Sequence, residues 1–238
     1  MELCLVHTAD LHNRLDRRRA QRLRELKQER RAVLLDCGDA LAAPNILAFP
    51  WSEPAIRWLN EAGCDAMCLG NREYAWYRSG LLRKTGEARF PVLATNLVPR
   101  PGQDPGHLRR WTVLTSPDGV RLGVLGLTEV MVQEGTMVSR LAIGRFLDPL
   151  VAAREAVTAL RPQVDVLIAL THYGRAEEAA LAGTCPELDA ILCGHWHVSQ
   201  PSLEVVGRTA VARTFHHGRG ASIMTLADGK WRQEAFRL

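Results

Sequence analysis

Two imidazoles, two residues apart, close an apolar run: Ala190-Ile191-Leu192-Cys193 breaks at Gly194 and delivers His195 and His197. In an extended chain side chains alternate faces, so both rings point the same way at a strand end. Two neutral imidazoles sharing a face are half of a metal site. The other half stands at the opposite end of the chain, where Leu3 to Val6 runs into Thr8-Ala9-Asp10-Leu11-His12, a carboxylate and an imidazole again at i and i+2. Between them, Asp39 follows the run Ala32 to Leu35, Asn71 follows Ala66 to Leu69, and His172 follows Val166 to Leu170. Five times an apolar stretch of strand length ends in a side chain that can ligate a metal.

The set Asp10, His12, Asp39, Asn71, His172, His195 and His197 is too large for one tetrahedral zinc and has no sulfur, so it is not a structural zinc site. It suits two divalent ions about 3.5–4 Å apart, bridged by a carboxylate and a hydroxide. Such a pair lowers the pKa of water and clamps both oxygens of an in-line displacement at phosphorus. Mixed oxygen and nitrogen donors accept Mn, Fe, Zn, Co or Ni and do not choose among them.

The elements that must position these donors read as alternating strands and helices. Strands are expected at Glu2 to Thr8, Ala32 to Leu35, one ending at Gly70, Phe90 to Asn96, Val164 to Thr171 and Leu188 to Cys193. Helices are expected from Arg17 to Arg31 with Ala20, Leu23 and Leu26 inward, from a Ser52 cap through Pro54 to Ala62 with Gly63 as stop, over Leu81 to Glu87, Pro149 to Leu160 and Arg175 to Ala182. Trp111 to Thr115 and Arg121 to Leu127 flank Pro117-Asp118-Gly119 as a hairpin. Residues 99–109 read as Pro/Gly-rich loop, and residues 129–146 as a connector or a lid. The tail, Leu203 to Phe215 and Ala221 to Phe236, alternates as antiparallel sheet. Helices between early strands and hairpins later argue for a mixed α/β sandwich, and the length suits one domain over residues 1–238.

Composition narrows the setting. Of the thirty basic residues only Lys27, Lys84 and Lys230 are lysine, and the net charge of +4 is mild. The eight basic residues of Arg17–Arg31 are diluted by Glu25 and Glu29 and read as a solvated outer helix rather than a nucleic-acid surface. The six cysteines show no paired spacing, which fits a reducing, cytoplasmic protein. No apolar stretch reaches the ~18 residues of a membrane span, and a first ligand at Asp10 leaves no room for a leader.

Asp10-x-His12, Gly38-Asp39, Gly70-Asn71-x-Glu73, His172 and Gly194-His195-x-His197 resemble the five ordered blocks of the calcineurin-like metallophosphoesterases. His7-Thr8-Ala9-Asp10-Leu11-His12, Phe90-Pro91-Val92-Leu93 and Gly123-Val124-Leu125-Gly126-Leu127-Thr128 are similar to the 5'-nucleotidase branch. The resemblance implies a four-layer α-β-β-α sandwich with the site at the strand ends. It also implies one ion on Asp10, His12 and His197, the other on Asn71, His172 and His195, and Asp39 as bridge. That family usually has a histidine after the asparagine, acting on the leaving group, and an aspartate three residues later. Here those positions hold Arg72 and Ala75. Guanidinium cannot act as a general acid, and its loss typically removes about 10²–10⁴-fold. Arg72 can instead grip a non-bridging phosphoryl oxygen.

The expected function is a dinuclear phosphoesterase in which a metal-bridging hydroxide attacks a phosphomono- or phosphodiester, nucleotides included, with Asp39, Asn71 and Arg72 catalytic. Arg72, Asn96 and His217 are candidate substrate contacts; His216 and His217 are also candidates for a substitute acid. Tyr74 and Trp76 are candidates for stacking on a base or for packing, and His7 and His107 read as structural. Two rivals stay open: a catalytically weakened scaffold of the same fold, and a metal-dependent nuclease using the Arg17–Arg31 helix.

Overall fold

The computed structural model describes residues 2–103, 106 and 108–238; His107 lies outside them. In chain order the strands are β1 (Leu3–Thr8), β2 (Val33–Asp36), β3 (Ala66–Cys68), β4 (Val92–Leu93), β5 (Leu97–Pro99), β6 (Leu108–Arg109), β7 (Trp111–Thr115), β8 (Arg121–Thr128), β9 (Gly144–Phe146), β10 (Val166–His172), β11 (Ala190–Val198), β12 (Ser202–Val206), β13 (Thr209–Phe215), β14 (Gly220–Ala227) and β15 (Lys230–Arg237). The helices are α1 (Arg17–Glu29), α2 (Ala55–Ala62), α3 (Arg78–Thr85), α4 (Met137–Leu141), α5 (Pro149–Leu160) and α6 (Arg175–Thr184).

Period-two alternation builds four layers. Leu3, Leu5, Val33 and Leu35 of one sheet meet Val124, Val166, Ile168, Leu170 and Leu192 of the other in the inter-sheet core. The side chains between them, Val6 and Leu34, turn outward onto Leu23, Leu26 and Leu59 of α1 and α2. Leu167, Ala169 and Ile191 do the same onto Ala153, Ala156 and Leu181 of α5 and α6. Strands covered on both faces read as unbroken apolar runs, which is why the sequence shows them so plainly. One sheet runs β15-β14-β1-β2-β3-β4-β6 and the other β12-β13-β11-β10-β8-β7; β5 and β9 form a small third pair. The result is the α-β-β-α sandwich. Strands β1 to β3 are mutually parallel, as are β8, β10 and β11, and open α/β sheets bind ligands beyond such carboxyl ends.

Some boundaries differ from expectation for physical reasons. Ser52 does not cap α2, which starts at Ala55 behind Pro54 without a side-chain cap. The intervening Glu53 turns instead to the loop before it, accepting the backbone N–H groups of Ala42 and Ala43 and the Asn13 amide. Helix α3 begins three residues before Leu81. The strand expected over Phe90 to Asn96 shrinks to β4, and the Pro/Gly-rich segment after it supplies β6, its parallel neighbour. Residues 129–146 hold α4 and β9, with Ser139, Ile143 and Phe146 buried. That segment is pinned by pairing with β5. Helix α1 buries the stripe Ala20, Leu23 and Leu26, while three of its cations pair with carboxylates: Arg19 with Asp16, Arg22 with Glu25, Lys27 with Asp65. Among the described residues no helix is long and apolar enough to cross a membrane.

Candidate metal centre

The loops after β2 and β3 meet because two glycines let them. Gly38 has φ +91°, and a Cβ there would lie 2.7 Å from Gly70 N; a Cβ on Gly70 would lie 2.3 Å from Asp39 N. Only glycine fits backbones that close. Glu73 then ties the loops together, its buried carboxylate accepting the N–H groups of Asp39, Leu41 and Gly70. Burial, with Asp39 beside it, pushes Glu73 up to about 7. Backbone donors offset part of the cost of burial.

Strain collects here. Asp10, His12, Asp39 and His195 all have positive φ, between 45° and 69°, a region that costs a non-glycine residue roughly 1–3 kcal/mol and clusters at functional sites. His195 lies within an irregularity of the β11–β13 pairing between Cys193 and Val198. The plain alternation expected of His195 and His197 is therefore broken: His195 Nδ1 turns toward His172 Nε2 at 3.3 Å, and His197 Nε2 toward Asp10 Oδ1 at 3.3 Å.

The donors converge in two overlapping groups. In the first, the Nε2 atoms of His12 and His197 face each other at 3.0 Å, and His12 Nε2 lies 3.8 Å from Asp10 Oδ1. In the second, His172 Nε2 lies 3.3 Å from Asp39 Oδ1 and 3.0 Å from Asn71 Oδ1. The combinations Asp10/His12/His197 and Asp10/Asp39/His172 can each hold an ion. His172 is aimed by its far nitrogen, since Nδ1–H donates to the Cys37 carbonyl at 2.7 Å and leaves Nε2 for the site. Asn71 is aimed similarly: its amide N–H donates to Asn45 Oδ1 at 2.7 Å, which turns Oδ1 to His172.

Electrostatics fit a cation. Asp10 Oδ1 is buried without a hydrogen bond, although two imidazole nitrogens face it. Burial opposes charge on His172, yet Asp39 and Asp10 hold it up at about 10. Asp39 is lowered in turn: burial works against it, and His172 outweighs burial. Burial draws His12 down to about 4 despite Asp39 and Asp10. Carboxylates buried among imidazoles form a donor set of the hard–borderline type that divalent metals take.

Arg72 stands at the edge of this group. Its backbone N–H donates to Asp39 Oδ1 at 2.9 Å and its Nε lies 3.6 Å from Asp39 Oδ2. Nη1 rests on the Ala42 and Ala43 carbonyls at 3.2 Å. With His12, Arg14, Ala42, His197 and His217 it lines an open cleft of about 280 Å³. Asn96 is a correction. It is fully buried, and its amide is spent on Thr128, donating to the carbonyl at 2.8 Å and accepting the N–H at 3.1 Å. It clasps two strand ends and reaches no cleft. Tyr74 is likewise fully buried and packs on Phe146, so it offers no face to a base; Trp76 packs on Tyr77. His7 is wholly buried, and burial lowers it to about 3, a neutral core histidine. For His216 and His217, the candidates for a substitute acid, burial, His197 and Arg219 all lower the imidazoles. Asn45 was not legible in advance, because it sits in an aperiodic loop.

Known proteins carry the same architecture. The family model described as calcineurin-like phosphoesterase matches residues 5–199. A snake venom 5'-nucleotidase of Gloydius brevicauda is 27% identical over 86% of this chain and 39% of its own length. The uncharacterized metallophosphoesterase YunD of Bacillus subtilis is 24% identical over 91% of this chain and 48% of its own length. This chain thus spans less than half of either relative. Among solved structures, a 5'-nucleotidase precursor from Thermus thermophilus superposes over 100% of this chain and 55% of its own, with TM-score 0.79 at 22% identity, which shows a shared fold.

Proposed function

Because the chain belongs to the calcineurin-like phosphoesterase family, we propose that it hydrolyses phosphate esters with two divalent ions held at the strand ends, in a setting matched to its six unpaired cysteines, the cytoplasm. Asp10, His12 and His197 would hold one ion, Asn71, His172 and His195 the other, and Asp39 both. When bound, the ions acidify water and neutralise charge on the phosphoryl group. The observation that carries this reading is the overlap of Asp10/His12/His197 with the buried group Asp10/Asp39/His172 through their shared Asp10.

The chain's own residues then set what it can cleave. Asp39 is fixed by the Arg72 backbone N–H on one oxygen, and Glu73 fixes its backbone. Both anchor the carboxylate before substrate arrives, which is where positioning is most useful. Arg72 faces the cleft that His12 and His197 line. Moving off the Ala42 and Ala43 carbonyls, its fork binds two non-bridging oxygens and orients phosphorus. It cannot protonate a departing alkoxide. Esters with good leaving groups, or diesters, are therefore the preferred substrates over nucleoside monophosphates, the substrate class that the names of the relatives point to.

The test compares an aryl diester, an aryl monoester and several nucleoside monophosphates at equal Mn²⁺. Faster turnover of the aryl esters is expected; faster hydrolysis of the nucleoside monophosphates would overturn the leaving-group argument.

A further inference from the structure

His216 and His217 lie in the turn between β13 and β14, outside the seven donors above. Their Nδ1 atoms face one another in hydrogen-bond contact, and both rings pack on His197. The His216 ring lies 4.8 Å from it and 2° from parallel, and the His217 ring 5.1 Å from it at 77°. His217 also reaches His12, with centroids 4.8 Å apart. One nitrogen from each of His197, His216 and His217 falls within 4.8 Å of the others, the same clustering found for the two groups already described.

The backbone makes a second, independent point. His217 has φ +55°, the same left-handed strain carried by Asp10, His12, Asp39 and His195. Its N–H donates to the Asp10 carbonyl at 2.7 Å, so the turn is locked to the loop that carries the first donors. A turn free to choose would put glycine or asparagine there.

We propose that His197, His216 and His217 form an additional divalent-cation site on the rim of the cleft, one that takes a borderline ion such as Zn²⁺, Ni²⁺ or Cu²⁺. A set made only of imidazole suits these ions, whereas Mg²⁺ and Ca²⁺ require oxygen. At His216 and His217 the ligating form is the neutral ring. His197 presents Nε2 to Asp10 and His12 and has Nδ1 as its second donor; with both nitrogens engaged, its ring proton leaves to solvent. Arg219, which donates to His216 Nε2 at 3.2 Å, is the opposing charge. Its guanidinium swings away as the His216 proton moves to Nε2 and frees Nδ1. The site goes beyond the phosphoesterase reading and shares only His197 with it.

The experiment titrates chelator-treated whole protein with Zn²⁺ by calorimetry, wild type against His216→Gln/His217→Asn, with elemental analysis after desalting. Asparagine at 217 tolerates the left-handed φ. In parallel, ring ¹⁵N resonances of the histidines of the wild type are followed during the titration, which needs no variant. The expected result is loss of one equivalent in the variant, whatever the wild-type total, and movement of the His216 and His217 resonances with that equivalent in the wild type. Equal stoichiometry in both proteins, or unmoved resonances, overturns the rim site. Two equivalents retained in both leave the dinuclear reading standing; a single equivalent that the variant loses supports the rim site and removes the dinuclear one.

Discussion

The Asn71 side-chain amide donates to Asn45 Oδ1 at 2.7 Å, and that single bond decides which end of Asn71 faces His172. An asparagine amide is nearly symmetric in shape, so without Asn45 the N–H end can turn inward and repel a cation. Asn45→Ala should weaken divalent-ion affinity by about 10–100-fold, the usual cost of losing a partner that orients a ligand, with little change in melting temperature. Asn45→Asp, which still accepts, should restore most of it. Competition with a chromophoric chelator reads both. Equal affinity in wild type and Asn45→Ala would show that Asn71 is aimed by something else.

On the proposed function, Arg72 stands where a proton donor is wanted. Arg72→His should raise turnover of alkyl phosphomonoesters at least about 10-fold, short of the ~10²–10⁴ of a fully supported acid. The shortfall follows from Ala75, which is fully buried in the apolar cluster with Tyr74 and Leu81 and leaves the new ring without a carboxylate partner. The Michaelis constant should rise as the guanidinium grip is lost. An unchanged rate would place position 72 away from the leaving group.

Asp36 gives stability a pH signature. Burial, offset only partly by Thr8 and Gly38, pushes its carboxyl from 3.8 to about 8. Between those values the folded protein keeps the proton while the unfolded chain ionises. The contribution is therefore complete below about pH 4 and lost progressively as pH rises to about 8, on the order of a few kcal/mol. Asp36→Asn removes the titration yet keeps Oδ1 for the Gly38 N–H at 2.9 Å and offers an N–H to Thr8 Oγ1, 2.7 Å from the present carboxylate. Urea unfolding with chelator present should show the variant gaining on wild type from pH 4 to 8. Parallel stability curves would contradict the assignment.

Much of this was visible in the sequence because the chemistry sits where apolar runs stop. Strands β1, β2, β10 and β11 are covered on both faces, so their residues are apolar without interruption and their ends are sharp. What the sequence hid depends on contacts between distant segments. Asn96 at the end of an apolar run looks available for ligand until its pairing with Thr128, 32 residues on, is seen. Strand β6 emerges from a Pro/Gly-rich stretch only because β4 offers it an edge. The extension of β11 through His197 hides behind Gly194, which reads as a strand end and is instead the start of a bulge.

The central claim is that Asp39 stands between two ions. Crystals soaked in Mn²⁺ and measured at the manganese absorption edge test it most directly. Two anomalous peaks flanking Asp39, one against Asp10, His12 and His197 and one against Asn71, His172 and His195, are the predicted result. A single peak, or none within reach of Asp39, would contradict it.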